Sequence, residues 1–199
     1  MKRGVIPLHR VQGTPMEMSD EALVATCAIG ETAALGALYD RHADGVRRFL
    51  ARLSGTDDRD LDDLVQATFE KVVRAARGFD GRSSVRTWLL GIANNIARHH
   101  MRGELRRKRL TMTATAEAAV PPPAGDPSGE VIGREQVGRL HDALLALPPK
   151  LREAFVLVYL EGLSGAEAAR VLAAREGAIW KRLHEARAKL RALLEGARP

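Results

Sequence analysis

A proline- and glycine-rich stretch, residues 111–129, constrains this chain most, because it cannot form part of a packed core. Its sequence, TMTATAEAAVPPPAGDPSG, has four prolines, two glycines, no Lys or Arg and almost no bulky apolar residue. Such a segment cannot bury enough surface to offset the entropy lost on ordering. The sequence therefore predicts two folded domains, residues 19–109 and 131–199, joined by a flexible linker at 110–130. Residues 1–18 are predicted to be a disordered extension, and Met1, Met16 and Met18 are all candidates for the natural start.

The parts on either side of this stretch carry the apolar spacing of amphipathic helices. Within DRDLDDLVQATFEKVVRAA, apolar residues recur three and four positions apart, which places them on one helical face. They are Leu61, Leu64, Val65, Phe69, Val72, Val73 and Ala76. SSVRTWLLGIANNIARHHMR repeats the pattern with Trp88 on its apolar stripe, and Ser19 is a candidate N-cap for an earlier helix. Because no run has the period of a strand, the predicted fold class is all-α, two helical domains joined by a flexible linker.

Charge and cysteine content narrow the class of protein. The chain of 199 residues has a formal net charge of +6, which favours an anionic partner such as nucleic acid, a membrane surface or an acidic protein. The single cysteine, Cys27, excludes an internal disulfide and lies in an apolar context, so we expect a buried, unreactive thiol, with a redox sensor as the alternative. No apolar run suits a membrane span or a signal peptide. A cytoplasmic protein without membrane insertion is therefore expected.

The segment LSGAEAARVLAAREGAIWKRLHEARAKL has the pattern of a helix-turn-helix. Ser164 and Glu167 form a predicted capping box at the start of the first helix, and AAREG is the predicted turn. The second helix buries an apolar stripe, which leaves its opposite face free to enter a DNA major groove. That face carries Gly177, Lys181 and His184, with Ala178, Arg182 and Glu185 toward its margins. An ordinary helix pair with a solvated basic face fits the same pattern, so the motif alone leaves both interpretations open.

Positive charge is concentrated after an unusual pair of asparagines. The stretch FDGRSSVRTWLLGIANN ends in Asn94 and Asn95, although asparagine is a mediocre helix former. The run from Arg98 to Arg109 then holds six Lys or Arg residues and one Glu. Such a run can neutralise several phosphates, and it equally suits a solvated helix end. Its two histidines have no partner at metal-ligand spacing, and no catalytic triad or phosphate-binding glycine loop is present, so we expect no metal, no cofactor and no enzymatic activity.

Together these motifs resemble a bacterial RNA polymerase sigma factor of the extracytoplasmic-function (ECF) group, which keeps only regions 2 and 4. The resemblance rests on DDLVQATFEKVVRAARGFDGRSSVRTWLLGIANNIA, a basic stretch, a linker, and then LPPKLREAFVLVYLEGLSGAEAARVL and RLHEARAKL. Region 2 corresponds to residues 32–109 and region 4 to residues 140–195. The resemblance implies a transcription initiation factor that binds core RNA polymerase, directs it to promoters and helps to melt the −10 element. It also implies regulation by an anti-sigma factor.

For the first half, the resemblance implies a docking helix and a base pocket. The helix containing DLVQATF would dock on the clamp coiled coil of the beta-prime subunit. Its expected contacts are Asp63, Leu64, Val65, Gln66 and Phe69, although Leu64 and Val65 also fit the apolar stripe. In the family a −10 base flips into a pocket of region 2, where Phe79 matches the aromatic platform and Asn95 the polar contact. The expected −10 contacts are Phe79, Ser83, Ser84, Arg86, Asn94, Asn95, Arg98 and Arg102.

For the second half, the resemblance implies that the second helix of the helix-turn-helix reads the −35 element, while the segment before it packs on the beta-subunit flap. The expected −35 contacts are Arg175, Gly177, Ala178, Trp180, Lys181, Arg182, His184 and Arg187. This sequence departs from the family at Val85, where an aromatic is frequent, and at Ala178, Ile179 and Trp180, where a small hydroxyl residue, Val and Lys or Arg are common. These departures leave the promoter sequence open, and Trp180 is expected either to cover the preceding helix or to contact DNA.

Two other functions fit parts of the sequence. A stand-alone helix-turn-helix repressor would bind duplex DNA without polymerase, but such a protein has no use for a polymerase-docking helix. A helical adaptor that binds other proteins would carry the basic surface incidentally. Binding to core RNA polymerase distinguishes the sigma factor from both.

Overall fold

The computed structural model describes residue 15, residues 17–112 and residues 131–195. The first half, residues 17–112, contains helices α1 (Asp20–Cys27), α2 (Thr32–Ser54), α3 (Asp58–Ala75) and α4 (Val85–Met112), with a short 3-10 turn at Ala76–Gly78. The second half, residues 131–195, contains α5 (Val131–Ala146), α6 (Pro149–Phe155), α7 (Gly165–Val171) and α8 (Glu176–Glu195), with a π-helical turn at Val156–Leu160. No strand occurs among these residues, and the predicted all-α class is confirmed.

The folded part of the chain extends past two of the predicted domain boundaries. Helix α4 continues to Met112, beyond the predicted end of the first domain at residue 109. Met18, assigned to the extension by the sequence, is buried in the core, and its carbonyl accepts a hydrogen bond of 2.8 Å from Arg41 Nη1. Residues 1–14 and 16 of the predicted extension and residues 113–130 of the predicted linker lie outside the described residues.

Short-range signals in the sequence fix several helix ends. Ser19 caps α1 as predicted, because its Oγ accepts the backbone N–H three residues on at 3.2 Å. The predicted capping box of α7 is present: the Glu167 N–H donates to Ser164 Oγ at 3.2 Å, and the Ser164 N–H donates to the Glu167 carboxylate at 2.9 Å. The pair Pro148–Pro149 separates α5 from α6, because proline restricts the residue before it and lacks an amide hydrogen.

The core of the first half contains most of the predicted apolar face of α3. Leu61, Leu64, Val65, Phe69 and Val72 are buried, whereas Val73 is 42% exposed. Val73 was predicted on this face, but it lies about 100° around the helix from Val72 and therefore turns toward solvent. Trp88 is half-buried against the core, in agreement with its predicted apolar position. Cys27 is buried, and this burial raises the pKa of its thiol, as expected for an unreactive cysteine.

The two halves pack against each other over a continuous apolar cluster. Leu157, Leu163 and Leu172 of the second half belong to the same buried cluster as Leu50 and Leu53 of α2. The C-terminus of α2 comes especially close to α5. There Gly55 adopts a left-handed conformation (φ 61°), and a Cβ on it would lie 2.5 Å from Leu145 Cδ1. Periodicity within each half did not predict this contact between them.

Candidate polymerase-docking and DNA-binding surfaces

The exposed face of α3 presents polar side chains beside an apolar patch. Asp63 and Gln66 are exposed, and Gln66 Nε2 donates to Glu70 Oε1 at 2.9 Å. The other predicted polymerase contacts, Leu64, Val65 and Phe69, are buried. Phe69 is overlaid by the exposed ring of Tyr39, with ring centroids 4.9 Å apart. In this conformation only the polar members of the predicted set are available to a partner.

A pocket of about 480 Å³ opens beside the first turns of α4. From the first half it is lined by Ser83, Thr87, Trp88 and Asn95, among others. Phe79 is not part of this lining; its ring packs against the Trp88 ring in a tilted arrangement, with centroids 5.1 Å apart and planes at 52°. The pocket thus brings together a hydroxyl, an indole and an exposed amide, and its size lies within the range of ligand pockets.

The two adjacent asparagines differ completely in environment. Asn95 is exposed and lines the pocket, whereas Asn94 is 0% exposed and neither atom of its amide has a hydrogen-bond partner. Consecutive helical residues point about 100° apart, which explains the difference. Ser84, another predicted DNA contact, instead caps α4: its Oγ accepts the Thr87 N–H at 3.1 Å. In this conformation Asn94 cannot reach DNA.

The predicted phosphate-binding arginines lie on two sides of α4. Arg98 and Arg102 follow Asn95 by three and seven positions, which places them along the same helical face. Arg98 makes two hydrogen bonds to Glu153 of α6, at 2.7 and 2.6 Å; these bonds raise its pKa above the usual value. Arg102 is exposed. Arg86 precedes Asn95 by nine positions, about half a turn away on the helix, and contacts Glu161.

Helices α7 and α8 form the predicted helix-turn-helix. The turn contains Ala173 in the left-handed region (φ 47°), where glycine is the usual residue. Ile179, Leu183, Ala186 and Leu190 of α8 are buried as the pattern predicted. The predicted −35 contacts that are exposed are Arg175, Gly177, Trp180, Lys181, His184 and Arg187, while Ala178 and Arg182 are half-buried.

Two family models match the chain, one in its first half and the other in its second half. The model described as "Sigma-70 region 2" covers residues 38–107, which include α3 and most of α4, and "Sigma-70, region 4" covers residues 138–190, which include the helix-turn-helix. The chain belongs to the ECF group of RNA polymerase sigma factors. It is a transcription initiation factor, and the function implied by the sequence resemblance is confirmed at this level.

Relatives and solved structures agree with this membership along nearly the whole chain. The ECF RNA polymerase sigma factor SigC of Mycobacterium tuberculosis is 36% identical over 189 residues, covering 94% of this chain and 97% of that protein. RNA polymerase sigma factor CnrH of Cupriavidus metallidurans is 34% identical, covering 90% and 96%. CnrH in complex with the cytosolic domain of CnrY matches in structure with a TM-score of 0.65 and 31% identity over 90% of this chain and 99% of that one. RpoE of Bartonella quintana, in complex with the anti-sigma factor NepR, matches with a TM-score of 0.61 and 27% identity over 80% and 96%.

In this sigma factor, Trp180 lies over the helix that precedes its own. A Cβ on Gly165, the first residue of α7, would lie 2.9 Å from Trp180 Cζ2. The Trp180 Nε1–H points toward Glu176 Oε1 at 3.4 Å. The ring is still 49% exposed, so it covers the start of α7 with one face and leaves the other open.

Sequence reasoning missed two features of the sigma factor's surfaces. Tyr39 and Val73 are exposed apolar residues that extend the exposed face of α3 on which Gln66 and Glu70 lie. The exposure of Val73 could have been predicted from the sequence, because Val73 follows Gln66 by seven positions and therefore lies on the same helical face. Tyr39 comes from α2, and its placement depends on tertiary packing.

The described residues contain no helix long and apolar enough to cross a membrane. They also contain no cluster of three His, Cys, Asp or Glu side chains suited to holding a metal ion.

Proposed function

We propose that this sigma factor docks on the beta-prime clamp through the exposed face of α3, captures a flipped −10 base in the pocket beside α4, and reads the −35 element through α8. The pocket is the observation that carries the proposal. It combines aromatic and polar side chains on the first turns of a helix whose same face continues into Arg98 and Arg102.

The pocket has the chemistry required for an unstacked base. Trp88 offers an indole in the lining, and Phe79 packs against that ring. Stacking of a base on an aromatic side chain contributes about 1–3 kcal/mol and tolerates different bases. The Asn95 amide supplies both a donor and an acceptor for a base edge. Base capture of this kind favours strand separation, because it stabilises the open form of the duplex.

The arginines beside the pocket suit the backbone of the same strand. Arg98 and Arg102 continue along α4 from Asn95, so a strand whose base enters the pocket would pass both guanidinium groups. Contacts of this type position the strand and are weakened by salt. Arg86 lies on the other side of α4, and as a DNA contact it would meet a different part of the promoter.

The second half suits major-groove recognition. Arg175, Lys181 and His184 are exposed at the start and along the outer face of α8, which is the part of a recognition helix that enters the groove. The π-helical turn and α6 would face the beta-subunit flap.

The regulator is proposed to be an anti-sigma factor. CnrH and RpoE, the two similar structures, are both bound to a second protein, which is named as an anti-sigma factor for RpoE. We further propose that the protein acts in the cytoplasm, where polymerase and promoter DNA meet, and that it has no enzymatic activity and needs no cofactor.

Promoter opening by reconstituted holoenzyme tests the pocket. Phe79→Ala removes the ring that packs against Trp88, and Asn95→Ala removes a polar contact to the base edge. Each should reduce open-complex formation by about 5-fold or more, the low end of the roughly 1–3 kcal/mol of a base–aromatic stack, while core polymerase binding stays unchanged. Permanganate reactivity of promoter thymines reports the opening, and Phe79→Tyr, which keeps the ring, serves as the matched control. If both alanine variants open promoters as well as wild type, the pocket does not capture a base.

A further inference from the structure

One arginine of α8 packs against an aromatic ring of the same half of the protein. The Cζ atom of Arg187 lies over the Tyr159 ring, 5.7 Å from its centroid, which is within the distance at which a guanidinium group is attracted to an aromatic face. The Tyr159 ring in turn packs against Phe155, with centroids 4.9 Å apart and planes at 47°. These three side chains form a stack that extends from the end of α6, through the π-helical turn, to α8.

Arg187 lies at the edge of the face of α8 that is proposed to enter the major groove. Gly177, Lys181 and His184 are exposed, and they span about 60° around the helix axis. Arg187 is rotated about 80° from Gly177, toward the buried stripe that contains Leu190. The exposure of Arg187 therefore does not by itself make this residue a DNA contact.

Trp180 contacts the protein from the same edge of α8. It precedes Arg187 by seven positions, so the two residues are only about 20° apart around the helix and about 10 Å apart along it. The Trp180 ring lies against Gly165 at the start of α7, and Arg187 lies over Tyr159. This edge of α8 is thus held at two points by the segment that begins at the π-helical turn and ends at the start of α7.

The π-helical turn exposes the ring on which Arg187 lies. Within this turn Val156 is buried, whereas Tyr159 is 44% exposed. The turn is closed by the Glu161 N–H, which donates to the Val156 carbonyl five residues earlier at 2.9 Å. Turns of this kind are rare, and they recur at functional sites. Here the turn presents an aromatic face to the side of the recognition helix.

We propose that Arg187 is a positioning residue for recognition of the −35 element: its guanidinium group packs on Tyr159 and fixes the orientation of α8, and it does not bind a DNA phosphate. This inference rests on the proposed reading of the −35 element by α8. It replaces the direct −35 contact that the sequence resemblance implied for Arg187. Because Tyr159 also packs on Phe155, the orientation of the recognition helix depends on the end of α6.

Duplex binding by reconstituted holoenzyme at saturating core polymerase tests this role. One fluorescent duplex carries the −35 sequence that wild-type holoenzyme selects from a randomised pool, and a second carries the same bases in scrambled order. Arg187→Gln removes the cation, Tyr159→Leu removes the ring, and Tyr159→Phe keeps the ring. Arg191→Gln makes the same change in charge at an exposed position near the end of α8 and is the matched control.

Arg187→Gln and Tyr159→Leu should each weaken binding of the selected duplex by about two- to fivefold, as expected for loss of a partly exposed cation–π contact. The two effects should not add in the double variant, because each change removes the same contact. Binding of the scrambled duplex should stay at the wild-type level, because helix orientation matters for base contacts, whereas a phosphate contact strengthens binding to any sequence. Tyr159→Phe and Arg191→Gln should bind both duplexes as wild type does.

Salt dependence gives an independent measurement. Loss of one phosphate contact lowers the slope of log affinity against log salt concentration by about 0.9, whereas Arg187→Gln should leave this slope unchanged. A lower slope together with equal weakening on both duplexes would show that Arg187 binds a phosphate, and it would overturn the positioning role. Additive effects of Arg187→Gln and Tyr159→Leu would overturn it as well. Arg187→Gln alters an exposed side chain, so its slope and its binding to the two duplexes decide the question even if Tyr159→Leu fails to fold.

A parallel pair of variants separates failure of this inference from failure of the proposed function. If Lys181→Ala and His184→Ala weaken binding of the selected duplex while Arg187→Gln behaves as wild type, only the positioning role is refuted. If the Lys181→Ala and His184→Ala holoenzymes bind this duplex as wild type does, α8 does not read the −35 element.

Discussion

The contact between Gly165 and Trp180 allows the role of Trp180 to be measured. A Cβ at position 165 would lie 2.9 Å from Trp180 Cζ2 and 3.0 Å from Glu176 Oε1, so Gly165→Ala must displace the indole. Such overpacking costs about 1–3 kcal/mol. Alanine is also a better helix former than glycine, by up to about 1 kcal/mol. With the indole in place we therefore expect Gly165→Ala to be neutral or to destabilise by up to about 2 kcal/mol.

The effect of Gly165→Ala on the free energy of unfolding should change sign once the indole is removed. In a Trp180→Ala background, Gly165→Ala should stabilise by up to about 1 kcal/mol, because only the helix-propensity effect remains. The coupling energy of the double-mutant cycle is then about 1–3 kcal/mol. Urea unfolding followed by circular dichroism measures all four proteins. Gly177→Ala on α8, where a Cβ meets nothing within 4 Å, is the control and should show no coupling to Trp180.

A coupling energy near zero would refute the packing of Trp180 on α7.

The promoter sequence that the protein prefers supplies a complementary measurement. If Trp180 is structural, Trp180→Lys should lower stability without changing the −35 sequence selected from a randomised library. A shift in preference at one or two base pairs with unchanged stability would instead make Trp180 a DNA contact.

Two further predictions concern the first half. Gln66→Arg should weaken binding to core polymerase without loss of helicity, because Gln66 is exposed on the proposed docking face; equal competition with wild type for core would argue against that face. Burial raises the pKa of Asp20, but hydrogen bonds from Arg41 and His42 outweigh it and hold the pKa below its usual value. Asp20 therefore contributes stability above about pH 4 that is lost as the pH falls further. The stability advantage of wild type over Asp20→Asn should shrink below pH 4 in acid-titrated thermal melts, and an advantage that stays constant from pH 7 to pH 3 would contradict this assignment.

Local features were predictable from the sequence because they depend on neighbours a few residues away. The Ser19 cap and the Ser164–Glu167 capping box follow from hydrogen bonds within a single turn. Helical periodicity likewise predicted which side of α8 is buried. The difference between Asn94 and Asn95 was implicit in the same periodicity, since only one of two consecutive residues can face a groove.

Features that join distant parts of the chain were not predictable in this way. Glu153 and Glu161 lie in segments that look like ordinary helices, and nothing near them in the sequence marks them as buried. Their pairing with Arg98 and Arg86 arises only when the halves pack. Arg86 and Arg98 of α4 appeared free in the sequence for the same reason, because their partners lie more than fifty positions away.

The angle between α7 and α8 depends on the core around them, because Ala173 in the turn between these helices has a left-handed backbone conformation. An L-residue with a Cβ loses roughly 1–2 kcal/mol in this conformation, so the turn does not favour its own shape. It is held by the buried residues on either side of it, Leu172 and Ile179. Heat that loosens this core should therefore disorient the recognition helix before the helix itself melts. We therefore expect the proposed recognition of the −35 element by α8 to weaken with temperature through a single turn residue, Ala173.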